Sequence, residues 1–213
     1  MILVRSLVFH LAFYLWSAFV AIGWTPFLLG PARWTLAMFR LWANGISLLL
    51  RVICGIRVEV RGRQHIPTGA ALVAPKHQCM LDVFASFAWL PASVYVMKHE
   101  LARIPWFGWY ARKVGSVVID RAGGSQTLRQ MVREAKERFA EGRQLVIFPE
   151  GTRTRPGAAA DYKPGIAALY REIDVPVHPV ATNAGLHWQP LKRVPGTIVY
   201  EYLEPIPPGL TGA

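Results

Sequence analysis

His77 and Asp82 stand five positions apart in His77-Gln78-Cys79-Met80-Leu81-Asp82, directly after the apolar run Ala70-Ala71-Leu72-Val73-Ala74-Pro75. A neutral imidazole is the side chain best suited to take a proton near neutral pH. A carboxylate on its other ring nitrogen fixes the tautomer and stabilises the imidazolium that forms. If the chain turns into a helix after Gln78, Asp82 swings back under His77, and the pair is a general base with its orienter. No obvious protein nucleophile stands with them, so the hydroxyl to be activated would belong to a substrate. A plainer reading is a histidine at a strand end and an aspartate capping the next helix. The spacing alone leaves both open. Cys79 adds a third reading, a Cys–His nucleophile acting in hydrolysis, although no glycine elbow flanks it.

Three more blocks place charged or polar groups at the ends of strand-like runs. Leu145-Val146-Ile147-Phe148 leads into Pro149-Glu150-Gly151-Thr152-Arg153-Thr154-Arg155. Gly115-Ser116-Val117-Val118-Ile119 ends in the pair Asp120-Arg121, and Val175-Pro176-Val177-His178-Pro179-Val180 is the third. A guanidinium fork matches phosphate oxygens in a bidentate way that an ammonium cannot. Arg121 and Arg153 are therefore phosphate candidates, against the alternative of solvated charges. Gly151 lets the backbone approach an anion closely. Lys98 could reach the same anion or stay in water. Glu150 repels a phosphate, so orienting Arg153 suits it better. His178, between Val177 and Pro179, reads as a core or rim histidine. His10, His65, His99 and His187 have no evident partner. No cluster has metal-ligand spacing, so no catalytic metal is expected.

These four blocks, in this order, resemble the glycerolipid acyltransferase family, in particular its 1-acyl-sn-glycerol-3-phosphate acyltransferases. The Phe148-Pro149-Glu150-Gly151-Thr152-Arg153 block is the specific one. Lys98-His99-Glu100-Leu101 with Ile104-Pro105-Trp106-Phe107-Gly108-Trp109 looks like the segment that family carries between its first two motifs. The resemblance runs from about Gly69 to Leu186. It implies transfer of a fatty acyl group from a thioester to the sn-2 hydroxyl of 1-acyl-sn-glycerol 3-phosphate, giving phosphatidic acid. His77 would be the base and Asp82 its orienter, with direct attack in a ternary complex and no acyl-enzyme. Glu150, Gly151, Thr152 and Arg153 would bind the glycerol phosphate, Glu150 through the glycerol portion, with Arg121 and Lys98 as further anion contacts. No cofactor is implied beyond acyl-CoA or an acyl carrier protein thioester as co-substrate, so acyl carrier protein is a candidate partner. Lys76 departs from the family, which often has Asn before its His; it would lower the proton affinity of His77 if it points inward, or else sit over the phosphate or thioester. Glycerol 3-phosphate or a lyso-aminolipid as acceptor, and a Cys79/His77 thioester hydrolase, are the alternatives. A lipid-binding module without catalysis would leave both charged blocks unexplained.

The elements that must hold these residues are partly legible. The chain has 213 residues, enough for one α/β domain with a core of its own. Hydrophobic residues make up 53% and charged residues 17%, with a formal net charge of +11. Such a balance points to membrane contact and an anionic partner. The basic residues are dispersed and no nucleic-acid motif appears, so nucleic acid is not expected as a partner. Two cysteines give no disulfide framework. From Leu7 to Gly30 only His10 is ionisable, a stretch long enough to cross a bilayer core and too long for a signal-peptide apolar region. Beyond it, Arg33, Arg40, Asn44, Ser47 and Arg51 recur at spacings of seven, four, three and four. That is one polar stripe on a helix lying in the headgroup plane, and it argues against a deep second crossing. Residues 1–56 therefore read as membrane-anchoring helices and 57–213 as the catalytic domain. The expected setting is the cytoplasmic (inner) membrane, with the catalytic domain facing the cytoplasm.

In the catalytic region, strands are expected over 57–61, 70–74, 93–97, 116–119, 145–148, 176–181 and 197–203. Helices are expected over 82–90, 104–113, 125–140 (Ser125 as N-cap) and 165–173. This alternation predicts an α/β layered mixed sheet flanked by helices, behind an N-terminal membrane-associated helical segment. Ligands of such sheets bind at strand ends, which would gather His77, Arg121 and Glu150 on one rim.

Overall fold

Five strands run one way and two the other in a single seven-stranded sheet. This is the fold of a computed structural model, which describes residues 1–120, 124–159 and 161–210. The strands are β1 (Ile56–Arg61), β2 (Ala71–Pro75), β3 (Ser93–Lys98), β4 (Val117–Ile119), β5 (Gln144–Val146), β6 (Val177–Thr182) and β7 (Gly196–Tyr202). Their order across the sheet is β1-β7-β6-β2-β5-β3-β4. The five central and far strands are parallel, and β7 turns antiparallel to β6 while pairing parallel with β1. The expected mixed sheet is thus the one observed. Leu72, Val73, Val94, Leu145 and Val146 have no exposed surface. Their unbroken apolar runs follow from a sheet covered on both faces.

The helices are α1 (Ile2–Gly23), α2 (Ala32–Leu49), α3 (Leu81–Trp89), α4 (Phe107–Lys113), α5 (Gly124–Ala140), α6 (Pro164–Glu172) and the short α7 (Ala184–His187). Helices α3 and α6 lie one residue before their expected bounds, and two further helix starts differ. The aromatic helix starts at Phe107 rather than Ile104, because Pro105 precedes Trp106, whose φ is 58°. A left-handed residue cannot continue a helix from before it. Helix α5 starts at Gly124, so Ser125 lies inside its first turn and is not the N-cap.

Helices α1 and α2 form an antiparallel hairpin. The Trp16 indole donates to the Trp42 carbonyl and the Trp42 indole to Ser17 Oγ. The hairpin is not a separate layer: one buried cluster runs from Phe9 in α1 through the sheet to Tyr202. Phe39 stacks on Phe87 of α3 at 4.3 Å, and Trp42 meets Phe84 edge-on at 4.4 Å. Helix α1 rests on the α/β domain along its length. Ser6 Oγ accepts the Arg193 N–H near one end, and the Ala21 carbonyl accepts the Tyr110 hydroxyl near the other. Its opposite face, including Leu3, Leu7, Leu11, Leu15 and Phe19, is exposed and apolar. The stripe expected on α2 splits: Arg33, Arg40, Asn44 and Arg51 are exposed, while Met38, Phe39 and Ile46 behind it are buried.

Candidate active site

The C-terminal ends of the parallel strands converge on one rim. His77 follows β2, Lys98 ends β3, and the Phe148–Thr154 segment follows β5. Arg121, expected on this rim after β4, lies outside the described residues.

Asp82 folds back as the spacing anticipates. Its Oδ2 lies 3.1 Å from His77 Nδ1 and accepts the backbone N–H groups of Gln78 at 2.6 Å and Cys79 at 2.7 Å. Its Oδ1 accepts the Tyr200 hydroxyl at 2.8 Å. The carboxylate is 1% exposed, and each donor removes one way for it to rotate. A carboxylate only accepts, so His77 Nδ1 carries the proton and Nε2 keeps its lone pair. Burial, with Asp82 beside it, pushes the Tyr200 phenol well above its ordinary 10.0, which keeps this hydroxyl a donor. Tyr200 lies 118 residues downstream of Asp82. Only the pairing of β7 beside β6 brings it there, which is why sequence spacing gives no hint of it.

The block after β5 divides its labour between its ends and its middle. Phe148 stacks its ring on the His77 imidazole, with centroids 4.0 Å apart. Glu150 Oε2 accepts the His77 backbone N–H at 3.2 Å, and Thr154 donates its N–H to the His77 carbonyl at 2.8 Å. These three residues clamp the histidine from ring and backbone. Phe148 and Thr154 were not singled out from sequence. Gly151, Thr152 and Arg153 instead line a cavity of about 350 Å³ together with His77 and Lys98. Gly151 has φ 64°, a left-handed conformation suited to glycine.

Glu150 and Lys76 correct two expectations. The Glu150 carboxylate is 1% exposed, and its Oε2 is committed to the His77 N–H rather than to Arg153. Lys76 Nζ lies 3.4 Å from Glu150 Oε1. That oxygen makes no aligned hydrogen bond, so the contact is an ion pair. The cation spends its charge on this carboxylate, not over a phosphate or against the imidazole.

Cys79 is also corrected as a nucleophile. It is buried, its Sγ faces Asp82 Oδ1 at 3.7 Å, and burial with the Asp82 charge pushes its thiol far above the usual range. A thiol held protonated is a poor nucleophile. His178 in β6 gives its Nδ1–H to the His65 carbonyl at 2.7 Å, and burial lowers its proton affinity. It belongs to the framework. His10 does have partners: the Ser6 carbonyl at Nδ1 and Arg193 at Nε2.

Mostly apolar side chains form the rest of the cavity, among them Val83, Phe87, Tyr95 and Met97, with Ser116. A second apolar cavity of about 300 Å³ between α1, α2 and α4 shares Phe39 and Phe107 with it. The site thus sets an imidazole, a guanidinium and an ammonium beside apolar walls, with a second apolar cavity next to it under the hairpin. Such a site can deprotonate a hydroxyl on an amphiphile that carries an anionic group.

Known proteins resemble this chain in sequence and in fold. A 1-acyl-sn-glycerol-3-phosphate acyltransferase of Pseudomonas aeruginosa is 33% identical over 201 residues, covering 92% of this chain and 77% of that protein. The human 1-acyl-sn-glycerol-3-phosphate acyltransferase alpha is 30% identical over 139 residues, 64% of this chain and 49% of its own. The crystal structure of the 1-acyl-sn-glycerophosphate (LPA) acyltransferase PlsC from Thermotoga maritima superposes with a TM-score of 0.78 over 98% of this chain and 89% of that one, at 23% identity, a likeness of fold. The sequence pattern of the acyltransferase family covers residues 57–183, from β1 to the turn after β6, and with it His77, Asp82, Lys98 and the Phe148–Thr154 segment, though not Tyr200. The chain belongs to the acyltransferase family.

Proposed function

We propose that this protein transfers a fatty acyl group from an acyl thioester to the sn-2 hydroxyl of 1-acyl-sn-glycerol 3-phosphate, giving phosphatidic acid. The observation that carries the reading is His77, proton-donating to Asp82 through Nδ1, in one cavity with Arg153, Thr152 and Lys98. The relatives' names supply the acceptor and the product class.

The hydroxyl gives its proton to His77 Nε2 as its oxygen attacks the thioester carbonyl carbon. The tetrahedral intermediate then collapses, the C–S bond breaks, and the thiolate takes the proton from the imidazolium. Asp82 holds the ring in the right tautomer throughout and faces the positive charge that forms on it. A positioned general base contributes about 10²–10⁴ in rate. Arg153 and Lys98 would hold the acceptor's phosphate, with Arg121 assigned the same role from the sequence pattern. The cavity shared with the hairpin suits the acyl chain. No acyl-enzyme is invoked, since the buried thiol of Cys79 is held protonated and turned to Asp82. The donor is coenzyme A or acyl carrier protein, with no further cofactor.

The hairpin would bind the membrane by lying in it. At ~1.5 Å per residue, the 22 residues of α1 reach about 33 Å, enough to span a bilayer. A perpendicular crossing would, however, drag the domain packed along its inner face into hydrocarbon. An in-plane helix with Leu7, Leu11 and Leu15 down and the arginines of α2 at headgroup level satisfies both surfaces. The cytoplasmic leaflet, where the thioester donors are, is the assigned side.

The test is acyl transfer by detergent-purified protein, with both thioester donors and a panel of acceptors. Wild type should acylate lysophosphatidate in preference to monoacylglycerol, His77→Ala should lose at least ~10²-fold in kcat, and Cys79→Ala should keep its rate within a few fold. Undiminished transfer by a folded His77→Ala would end this mechanism. Loss with Cys79→Ala alone would favour the hydrolase chemistry.

A further inference from the structure

Arg193 is a buried cation without an acid to balance it. It lies in the loop between α7 and β7 and is 3% exposed. One Nη donates to the carbonyls of Gln189 and Lys192, and the other to His10 Nε2 at 3.1 Å. The guanidinium lies 4.1 Å from the Trp188 ring centroid and 5.6 Å from that of Phe9. Its Nε has no hydrogen-bond partner. Among the described residues no ion pair involves it. Burial alone drags its pKa down to about 10. A desolvated charge without a counter-charge is unfavourable, and a bound anion would relieve it.

The space for one is present. A cavity of about 300 Å³ lies between α1 and this loop, lined by Arg193, His10, the Gln78–Met80 turn, and the rings of Phe9, Phe13 and Trp188. No carboxylate lines it. Arg153 lines this cavity and also the one that holds His77. Two guanidiniums and an imidazole beside aromatic rings, at the edge of the exposed apolar face of α1, suit an amphiphile with an anionic head.

We propose that this cleft binds the phosphate monoester headgroup of a lipid, anchored by Arg193, and that Arg153 at its edge receives the same headgroup at the reaction cavity. The proposal rests on the acyltransfer reading above. Acceptor and product both carry that headgroup. The cleft is therefore where lysophosphatidate arrives from the bilayer surface, and phosphatidic acid, with the same headgroup, can leave through it as well.

The test uses the full chain in mixed micelles, with Arg193→Gln and Arg193→Lys. Rates are measured against lysophosphatidate, monoacylglycerol and the thioester donor, together with inhibition by added phosphatidic acid. Loss of one charge-assisted contact is expected to raise the KM for lysophosphatidate about tenfold or more in Arg193→Gln. The donor KM, kcat and the monoacylglycerol rate should stay within about twofold, with Arg193→Lys between. A weaker inhibition by phosphatidic acid would assign the product to the cleft as well, and unchanged inhibition would assign the acceptor alone. An unchanged lysophosphatidate KM would overturn the proposal, as would an equal loss with monoacylglycerol, which marks a structural arginine only. If Arg193→Gln fails to fold, Pro190→Trp fills the exposed mouth of the cleft and spares the guanidinium. It should give the same selective KM rise, and an unchanged KM there is equally fatal. Should wild type acylate no lysophosphatidate at all, the function is wrong. Calorimetric binding of lysophosphatidate to wild type and Arg193→Gln then still decides the cleft.

Discussion

Replacing Glu150 separates a residue that holds the base from one that touches substrate. Its Oε2 accepts the His77 N–H at 3.2 Å, and its Oε1 pairs with Lys76 at 3.4 Å. Glu150→Ala leaves a buried N–H without an acceptor, which costs about 1–3 kcal/mol. At roughly 2–4 °C per kcal/mol for a chain of this size, the melting midpoint should fall by several degrees. Lys76, about a third exposed at its side chain, turns to water, and that half of the change is worth under ~1 kcal/mol. The larger effect is on rate: a base displaced by ~1 Å loses about 10²-fold. Glu150→Gln keeps an oxygen for the His77 N–H and gives up only the charge, so its kcat should stay within about tenfold of wild type. The assay is steady-state transfer to lysophosphatidate with melting curves on the same preparations. The expected pattern is a fall in kcat graded Ala below Gln, with the acceptor KM unchanged in both. A raised KM with kcat intact would mean that the carboxylate meets the acceptor, and the positioning argument would be wrong.

Tyr200→Phe removes one donor to Asp82 without changing shape, and kcat should drop about tenfold at unchanged KM for both substrates; a change in the acceptor KM alone would contradict this. Alkaline stability should show the buried protons. Burial holds the Cys79 thiol and the Tyr200 and Tyr202 phenols above their ordinary 9.0 and 10.0, so the unfolded chain releases them first. Their contribution is complete below about pH 9 and is lost as pH rises through the unfolded values toward the folded ones; a melting midpoint flat to pH 11 would refute it. Leu7→Asp with Leu11→Asp, at positions 68% and 64% exposed, should leave the melting midpoint of purified protein unchanged and shift the protein from the membrane pellet to the supernatant. Retention in the pellet would move the membrane contact elsewhere.

The readable and unreadable parts of this molecule differ in the range of their interactions. Asp82 reaching back to His77 is a contact over five residues, governed by where a strand stops and a helix starts, and both are marked in the apolar pattern. The α2 stripe is likewise local, since period 3.6 alone puts Arg33, Arg40 and Arg51 on a face. What that helix packs against is not local, and Phe39 on Phe87 could not be paired in advance. Strand order has the same character. Nothing near β7 announces that it lies beside β6 and turns Tyr200 onto Asp82. Glu150 failed for another reason. A carboxylate beside an arginine reads as its partner, but Glu150 is buried on the His77 N–H while Arg153 lines the cavity beyond the turn at Gly151.

That division explains why one short block can serve two ends. A base must be fixed to a fraction of an ångström, while a binding surface must face open space. Leaving the sheet after Val146, the chain presents Phe148 to the imidazole, Glu150 to the backbone N–H before it and Thr154 to the carbonyl after it. Gly151, Thr152 and Arg153, between these anchors, cannot drift relative to His77 because the same segment carries both. The distance between the proposed base and the fork proposed to hold the phosphate is thereby set by a few covalently linked residues rather than by packing across the domain. An insertion of one glycine between Glu150 and Arg153 should consequently spare the His77–Asp82 pair and the fold, yet cost transfer to phosphorylated acceptors far more than transfer to monoacylglycerol. Equal loss on both acceptors would show that clamp and fork are not separable.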